Sequence, residues 1–416
     1  MLLTAAMAMA NPSMNSLAES YVKLALAAGV HDADYVDAYY GPPDWKTAAE
    51  TAKLPLAEVR ARLKALRAEF AQSSPAGADA MGLLRHAHLG KQLQALDARL
   101  AQVAGEKFTF DEESRLRYDT VAPRHGAAHY DAVLAELDKA LPGEGTVAAR
   151  YLAFRNRFVI PPAKLDAVFR AAIAEARART LKHIPLPPHE KFTLEYVTGK
   201  PWAGYNWYQG DAHSLIQINT ELPIFIDRAV DLAAHEGYPG HHVYSTLIEQ
   251  KLLRERGWVE FSVNPLFGPN ALIAEGTANY GIDVAFPGAE KLAFEREVLF
   301  PLAGLDPEQA DEYHRVLALT KELSFASNEA ARDYLDGRIN ADEYAARLEK
   351  YSLMEPARAQ QRIKFTGKYR AYLITYNHGQ QLVADWVEAR AGGDAGRRWE
   401  IFTELISTPQ LPSGLK

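Results

Sequence analysis

The sequence predicts a mainly α-helical protein: a large multi-helix fold with a small antiparallel β-sheet beside a central active-site cleft. Most of the 416 residues fall in segments whose apolar side chains recur every three or four positions, which is the period of an amphipathic helix. Only two runs, at 192–197 and 215–219, alternate as strands do. A cluster of histidines with a glutamate follows these runs closely and predicts where the active site lies.

Composition excludes several classes of protein. Hydrophobic residues make up 48% and charged residues 24% of the chain, which is ordinary for a globular protein. The net charge of −7 argues against a surface for nucleic acid or anionic membranes, and no apolar run approaches the roughly 20 residues of a membrane span. The chain contains no cysteine, so histidine and carboxylate side chains would have to hold any metal.

The texture of the chain divides it into three regions. Residues 1–13 resemble the end of a secretory signal, apolar and then Ala-x-Ala, and a disordered N-terminus fits them equally well. The compartment therefore stays open between the cytoplasm and the periplasm or exterior. Residues 14–185 form a helical N-terminal part, and residues 186–416 add the small sheet and the helical metal-site part within one continuous fold. The oligomeric state is not indicated by the sequence.

The N-terminal part is predicted to consist of helical hairpins. Segments rich in Ala, Leu, Arg and Lys keep the helical period, and the turn signals Gly-Pro-Pro at 41–43 and Ser-Pro-Ala-Gly at 74–77 separate them. The tyrosines between 35 and 40 are expected to pack in the core. The clearest predicted helices are 57–70, 81–103, 131–141 and 163–182.

The texture changes after residue 185, where the sheet is predicted. The runs at 192–197 and 215–219 are the strands, and the segment between them, Gly-Tyr-Asn-Trp-Tyr-Gln-Gly at 204–210, is aromatic and typical of turns. Zinc peptidases commonly lay a substrate backbone along the edge of a strand beside the site. A purely structural sheet is the alternative interpretation.

The stretch 231–242 contains three of the chain's thirteen histidines. Two histidines on one helix face, with a glutamate directly after the first, are how zinc hydrolases build a site: the imidazoles bind the metal and the glutamate is the general base. His235 and Glu236 fit these roles. Histidines that cap a helix end or lie on the surface are the alternative.

The spacing of these histidines is longer than in the standard motif. On a regular helix His241 lies nearly on the far side from His235, while His242 returns to the same face about 10 Å along the axis. Pro239 cannot form the helical bond to the carbonyl of His235, and Gly240 adds backbone freedom. A bulge here would bring His241 to the position of an i+4 histidine, so we favour it as the second ligand and keep His242 as its substitute.

A catalytic zinc needs a third protein ligand. Glu275 is the best candidate, because its neighbours Ala-Leu-Ile-Ala and Gly-Thr-Ala are small and apolar, and an unpaired charge is costly in such surroundings. Asn279, one turn later, could accept a hydrogen bond from a ligand histidine. The alternative is that Glu275 is an exposed glutamate of the helix.

The chain beyond residue 222 is predicted to be nearly all helical. Helix starts are indicated by Asp306-Pro307 and by Asn340 with a following glutamate. The predicted helices are 224–235, 241–255, 270–284, 289–299, 307–336, 341–351, 356–390 and 395–405.

The run His-Glu-Gly-Tyr-Pro-Gly-His-His at 235–242 resembles the H-E-x-Y-P-G-H-H signature of the bacterial family called domain of unknown function 885. The blocks at 274–281 and 375–380 look like that family's downstream blocks. The family is similar, more loosely, to the helical zinc peptidases of the thermolysin-like clan. The resemblance implies a zinc cofactor held by His235, His241 and Glu275, with Glu236 as the base and Tyr376 as an oxyanion donor.

The sequence therefore predicts a zinc-dependent metallopeptidase that hydrolyses short peptides, with Glu236 as general base on a metal-bound water. Small peptides are the expected partners, because helical walls around a cleft exclude folded chains. We also count His242 among the catalytic residues. Two alternatives belong to other classes: a metal-dependent hydrolase of a non-peptide amide or ester, and a non-catalytic binding protein with a degenerate site.

Overall fold

The computed structural model describes residues 13–200 and 202–416. It is mainly α-helical with two small sheets, which confirms the predicted fold class. The signal-like or disordered segment predicted at 1–13 lies, apart from Ser13, outside the described residues. Within the described part of the chain, no helix combines the length and the apolar character needed to cross a membrane.

The N-terminal half is built from helices that begin at side-chain caps. Asp79 accepts a hydrogen bond of 2.7 Å from the backbone N–H of Gly82, and Thr109 forms a reciprocal capping box with Glu112. The clearest predicted helices of this half are found within a few residues of their expected ends. Its helices are α1 (Met14–His31), α2 (Pro43–Ala52), α3 (Leu56–Gln72), α4 (Ala80–Val103), α5 (Phe110–Tyr118), α6 (Ala127–Ala140), α7 (Val147–Asn156) and α8 (Leu165–Leu181).

The predicted sheet is found between α8 and the histidine cluster, and it has three strands. The segment expected to be turn-rich, 204–210, is itself a strand at one edge, antiparallel to the central strand, and the first strand joins the other side in parallel. A second sheet pairs two short antiparallel strands from distant parts of the chain. The strands are β1 (Val36–Tyr39), β2 (Lys191–Val197), β3 (Gly204–Gly210), β4 (His213–Asn219) and β5 (Val263–Pro265).

The part of the chain beyond the three-stranded sheet is mostly helical, interrupted by the short strand β5, with π-helical turns at Ala233–Gly237, Glu249–Arg254 and Glu295–Leu299. Short 3-10 turns at Val259–Ser262, Pro307–Gln309, Arg370–Leu373 and Pro412–Leu415 connect or end its helices, as one at Pro162–Lys164 precedes α8. Its α-helices are α9 (Asp227–Leu232), α10 (His241–Ile248), α11 (Pro269–Ala285), α12 (Ala289–Phe294), α13 (Phe300–Ala303), α14 (Ala310–Lys321), α15 (Ala326–Leu335), α16 (Ala341–Tyr351), α17 (Pro356–Tyr369), α18 (Ile374–Ala391) and α19 (Ala395–Ile406).

Two long helices predicted from the sequence are each broken in two. The helix expected at 307–336 is interrupted between α14 and α15, where the Asn377 amide donates 2.7 Å to the carbonyl of Ser324. The helix expected at 356–390 is interrupted at Arg370, whose φ of 53° is left-handed. The guanidinium of Arg370 is held by Glu113 at 2.6 Å, so a contact distant in sequence overrides the local helical period.

The buried side chains form two clusters, a smaller one around α1, α3 and α4, against which α2 packs, and a larger one that draws on the helices from α5 onward. The larger cluster draws residues from both sides of position 185, and the domain division there stays a prediction. Helices α11 and α18 cross at glycines within it. A Cβ on Gly276 would lie 2.5 Å from the carbonyl oxygen of Gly379, so the two backbones are in direct contact.

Candidate metal centre

The chain leaves the helical path between His235 and His241, as the proline and glycine predicted. The π-helical turn closes with a bond of 3.1 Å from the N–H of Tyr238 to the carbonyl of Ala233, and α10 begins anew at His241. Gly240 is required at this break. A Cβ there would lie 1.9 Å from the carbonyl oxygen of His235, which no side chain could tolerate.

This break brings the two histidines together around a carboxylate. Their rings lie at right angles with centroids 4.6 Å apart, and Glu275 Oε2 is 3.4 Å from Nε2 of His235 and 3.7 Å from Nε2 of His241. Glu236 offers a further carboxylate, with one ligand atom from each of His235, Glu236 and His241 within 4.8 Å of one another. These residues form a group that could hold a metal ion.

The donor set fits a metal. Glu275 Oε2 is buried and, among the described residues, receives no hydrogen bond. Ligand atoms about 2 Å from a tetrahedral ion lie roughly 3.3 Å apart, close to the separations seen here. Burial alone would raise the pKa of Glu275, but the two imidazoles outweigh burial and hold that pKa well below its usual range. An ionised carboxylate with one free oxygen between two imidazoles is an arrangement that could hold a cation.

Two further side chains orient these donors. His235 Nδ1 donates a bond of 3.1 Å to Asn279 Oδ1, and the amide of Asn279 donates 3.2 Å to the carbonyl of Tyr376. With Nδ1 protonated, Nε2 of His235 is free to bind a metal. The hydroxyl of Tyr372 donates a bond of 2.7 Å to the other oxygen of Glu275. Asn279 was expected to orient a ligand histidine, while Tyr372 was not singled out for Glu275.

Glu236 is 4% exposed, and the Asn206 amide donates 2.6 Å to its backbone carbonyl from strand β3. Burial raises the pKa of the Glu236 carboxyl above its ordinary value, and the two histidines offset this only in part. Burial would lower the pKa of His241, but Glu275 above all, with Glu236 and Asp37, raises it to about 9. The site therefore combines an ionised carboxylate, a basic imidazole and a second carboxylate that readily takes a proton.

His242 does not join the cluster, and the catalytic or substitute-ligand role expected for it needs correction. It is fully buried; its Nε2 donates 2.9 Å to Glu190 and its Nδ1 accepts 2.8 Å from the hydroxyl of Ser214. The Tyr238 hydroxyl also donates to Glu190, whose pKa these bonds and Arg177 lower to about 2 against the effect of burial. Adjacent positions on a helix point about 100° apart, so His242 anchors the turn while His241 faces the cavity.

Tyr376 lines the same cavity as the histidines, on the first turn of α18. Its ring packs edge-on against that of Tyr372, with the ring centroids 5.6 Å apart. Burial, with Glu275 beside it, raises its pKa well above the ordinary value, so the phenol keeps its proton. His378 points elsewhere, with Nε2 3.0 Å from the hydroxyl of Thr120.

The cavity holding these residues has a volume of about 1000 Å³. The edge strand β3 forms one wall together with β1, and it brings Tyr205 and Asp37 into contact. Arginines contribute positive charge elsewhere on the wall, from α7, α9 and α17. Sequence reasoning did not single out these lining residues, because no local pattern marks them; only the aromatic character of 204–210 hinted at β3. The cavity arginines are Arg155, Arg228, Arg358 and Arg362.

Comparison with known proteins adds the fold and little beyond it. No family model and no curated protein matches the chain. A crystal structure of a candidate lipoprotein from Colwellia psychrerythraea matches with a TM-score of 0.56 at 15% identity, over 97% of this chain and 76% of that one. This likeness shows a shared fold. The resemblance to domain of unknown function 885 rests on the motif residues alone.

Two weaker likenesses carry no argument about function. A candidate lipoprotein of unknown function from Shewanella oneidensis has a TM-score of 0.46 and 13% identity, over 97% of this chain and 81% of that one. An M32 carboxypeptidase from Deinococcus radiodurans R1 has a TM-score of 0.45 and 14% identity, over 95% of each chain. The function must therefore be argued from the residues of the site.

Proposed function

We propose that this protein is a zinc-dependent peptidase acting on short peptides. The observation that carries the proposal is the unsatisfied Oε2 of Glu275 between the Nε2 atoms of His235 and His241, with the buried Glu236 beside them in a large cavity. Two histidines, one carboxylate ligand and a separate carboxylate base are the parts of a zinc hydrolase site. Zinc is the metal that this donor set favours, although manganese, iron and cobalt use the same donors.

A bound zinc ion would supply Lewis acidity at this position. The protein's own residues would handle the proton and the charge. Glu236 would take the proton of the attacking water and return it to the leaving amine, a task that its raised pKa suits. Tyr376 would donate its phenolic proton in a hydrogen bond to the oxyanion that develops on the substrate. Tyr372 and Asn279 would hold the ligands in place.

The shape of the cavity supports peptides as the substrate class. Strand β3 pairs only with β4 among the described strands, so its other edge offers free backbone groups along the cavity wall. An extended peptide can add to such an edge by main-chain hydrogen bonds, whatever its side chains are. A cavity of about 1000 Å³ admits a short peptide and excludes a folded chain.

The test is metal content together with product release. Purified protein should contain or take up one zinc ion per chain, and the zinc-loaded protein should release products from a mixed library of short peptides. A panel of non-peptide acylamides and esters serves as the comparison. Glu236→Gln is the matched control, because it should keep the zinc and lose turnover. Stoichiometric zinc with cleavage of the acylamides alone would reject the peptidase, and a chain that takes up no zinc would reject the metal mechanism.

A further inference from the structure

Asp37 places a carboxylate without a counter-charge on the wall of the metal cavity. Its Oδ1 accepts a hydrogen bond from the hydroxyl of Tyr205, and its Oδ2 accepts one of 3.4 Å from the amide of Asn264. Both donors are neutral. Among the described residues no lysine or arginine forms an ion pair with Asp37, whereas Asp34, on the same wall, is paired with Lys368 at 2.9 Å.

Asp37 is partly buried, and an ionised carboxylate in such a position is costly unless a cation accompanies it. Burial accordingly raises the pKa of Asp37, and the hydrogen bond from Tyr205 and the charge of His241 only partly offset it. The side chain is near enough to His241 and Glu275 to feel their charges, but it touches neither. It therefore lies beside the metal ligands, in the region that a substrate held at the metal would occupy.

The surroundings of Asp37 favour an organic cation. The ring of Tyr205 packs against those of Trp202 and Trp207, with centroid distances of 5.4 and 4.5 Å. Aromatic faces attract ammonium groups, and a neutral hydroxyl partner leaves the second lone pairs of the carboxylate available to a further donor. The charge of Asp37 and the Tyr205 phenol that contacts it together suit a primary ammonium.

The cavity arginines restrict where such an ammonium can bind. On α17, Lys368 pairs with Asp34 beside β1. Arg358 lies ten residues earlier on the same helix, so it is about 15 Å away from Lys368 along the helix axis. Neither Arg358 nor Arg362 forms an ion pair within the part of the chain that the structure describes. Arg358 and Arg362 repel a positive group from their part of the wall, whereas Asp37 lies on the part formed by β1 and, within the described chain, pairs with no lysine or arginine.

We propose that Asp37, positioned by Tyr205, determines specificity by binding a primary ammonium group of the substrate. This inference rests on the proposed peptidase function and deepens it: the preferred substrates are peptides that carry a positive charge next to the cleaved bond. The ammonium can be a free N-terminus or a lysine side chain, which share the same chemistry.

The test compares four forms of one peptide. The N-terminus is either free or acetylated, and the residue beside the cleaved bond is either lysine or norleucine. The unmodified protein should favour a charged form by about 10- to 100-fold in kcat/KM, the effect of one charged hydrogen bond. Which pair shows the preference identifies the source of the ammonium. Asparagine has the same shape as aspartate but no charge. In Asp37→Asn the ratio of kcat/KM between charged and uncharged forms should fall to near unity, because KM for the charged form rises, while cleavage of the uncharged form persists.

Asp34→Asn is the matched control, because that carboxylate lines the same wall but already has a partner, and its preference should stay unchanged. Equal cleavage of charged and uncharged forms by the unmodified protein would overturn the inference and leave the peptidase standing. An equal loss on all forms in Asp37→Asn would assign the residue a structural role, and loss of a second bound metal would make it a ligand; either overturns the inference. No cleavage of any form by zinc-loaded protein would overturn the peptidase and the inference together.

Discussion

Two tyrosines one turn apart offer a matched pair of mutations with opposite readouts. The Tyr372 hydroxyl donates a hydrogen bond of 2.7 Å to Glu275, whereas Tyr376 lines the cavity and donates no hydrogen bond to Glu275. Replacing either with phenylalanine removes one oxygen atom and leaves the packed rings, whose centroids are 5.6 Å apart. Any difference between the variants therefore reports on the hydroxyl group alone.

The expected magnitudes follow from what each hydroxyl contacts. A hydrogen bond to a charged group contributes about 1.5–3 kcal/mol, so Tyr372→Phe should weaken zinc binding by about 10- to 100-fold, because Glu275 loses its orienting donor. Tyr376→Phe should leave zinc affinity unchanged and lower kcat by about 10- to 1000-fold, with little change in KM, because its bond forms chiefly in the transition state.

The assay has two parts. Zinc affinity is measured by competition with a chromophoric chelator, and kcat and KM are measured on one peptide at saturating zinc. Under saturating zinc, Tyr372→Phe should recover most of its activity while Tyr376→Phe should not. A full kcat in Tyr376→Phe, or an equal loss of zinc in both variants, would refute the roles assigned to the two hydroxyls.

Three further predictions concern the base, the turn and the pH. Glu236→Gln should lower kcat by about 100- to 10,000-fold with zinc retained. Glu295 is a buried glutamate outside the cavity, so Glu295→Gln should leave kcat unchanged. Normal turnover in Glu236→Gln would exclude Glu236 as the base. Gly240→Ala should abolish zinc binding, since its Cβ would overlap a carbonyl 1.9 Å away, whereas Gly367→Ala on the open face of α17 should fold and bind zinc; equal zinc content in both would contradict the geometry. Zinc binding should release a proton at neutral pH and strengthen up to pH about 9, where His241 titrates, as calorimetry in buffers of different ionisation enthalpy can show. A zinc affinity independent of pH would contradict the raised pKa of His241. In chelator-treated protein the stability that charged His241 provides should be complete below about pH 6.5 and lost as the pH rises through 9, and a free energy of unfolding that stays constant over this range would contradict it.

Local patterns in the sequence predicted most of the helices and the break at the histidine cluster. Both rest on interactions within a few residues: the helical period, and the missing N–H of Pro239 followed by Gly240. The helix broken at Arg370 could not be predicted in this way. Its left-handed backbone is held by Glu113, more than 250 residues earlier, and nothing near Arg370 in sequence signals that contact.

The site shows the same division between local and distant causes. His235, Glu236 and His241 share one short motif, and Glu275 was recognisable from its apolar neighbours. The role of His242 could not be recognised from the sequence. His241 faces the cavity, whereas His242 faces Glu190, which directly precedes β2. Asp37 comes from a strand more than 190 residues before the motif, so only the fold reveals that it lies there.

The crossing of α11 and α18 has a consequence for how the dimensions of the centre are maintained. Glu275 precedes Gly276 on one helix, and Tyr376 lies one turn before Gly379 on the other. Because main chain meets main chain at this crossing, the distance between Glu275 and Tyr376 is a property of the peptide backbone, which every amino acid shares. Substitutions elsewhere in the core can accumulate without changing that length, and a single methyl group at the crossing would change it at once.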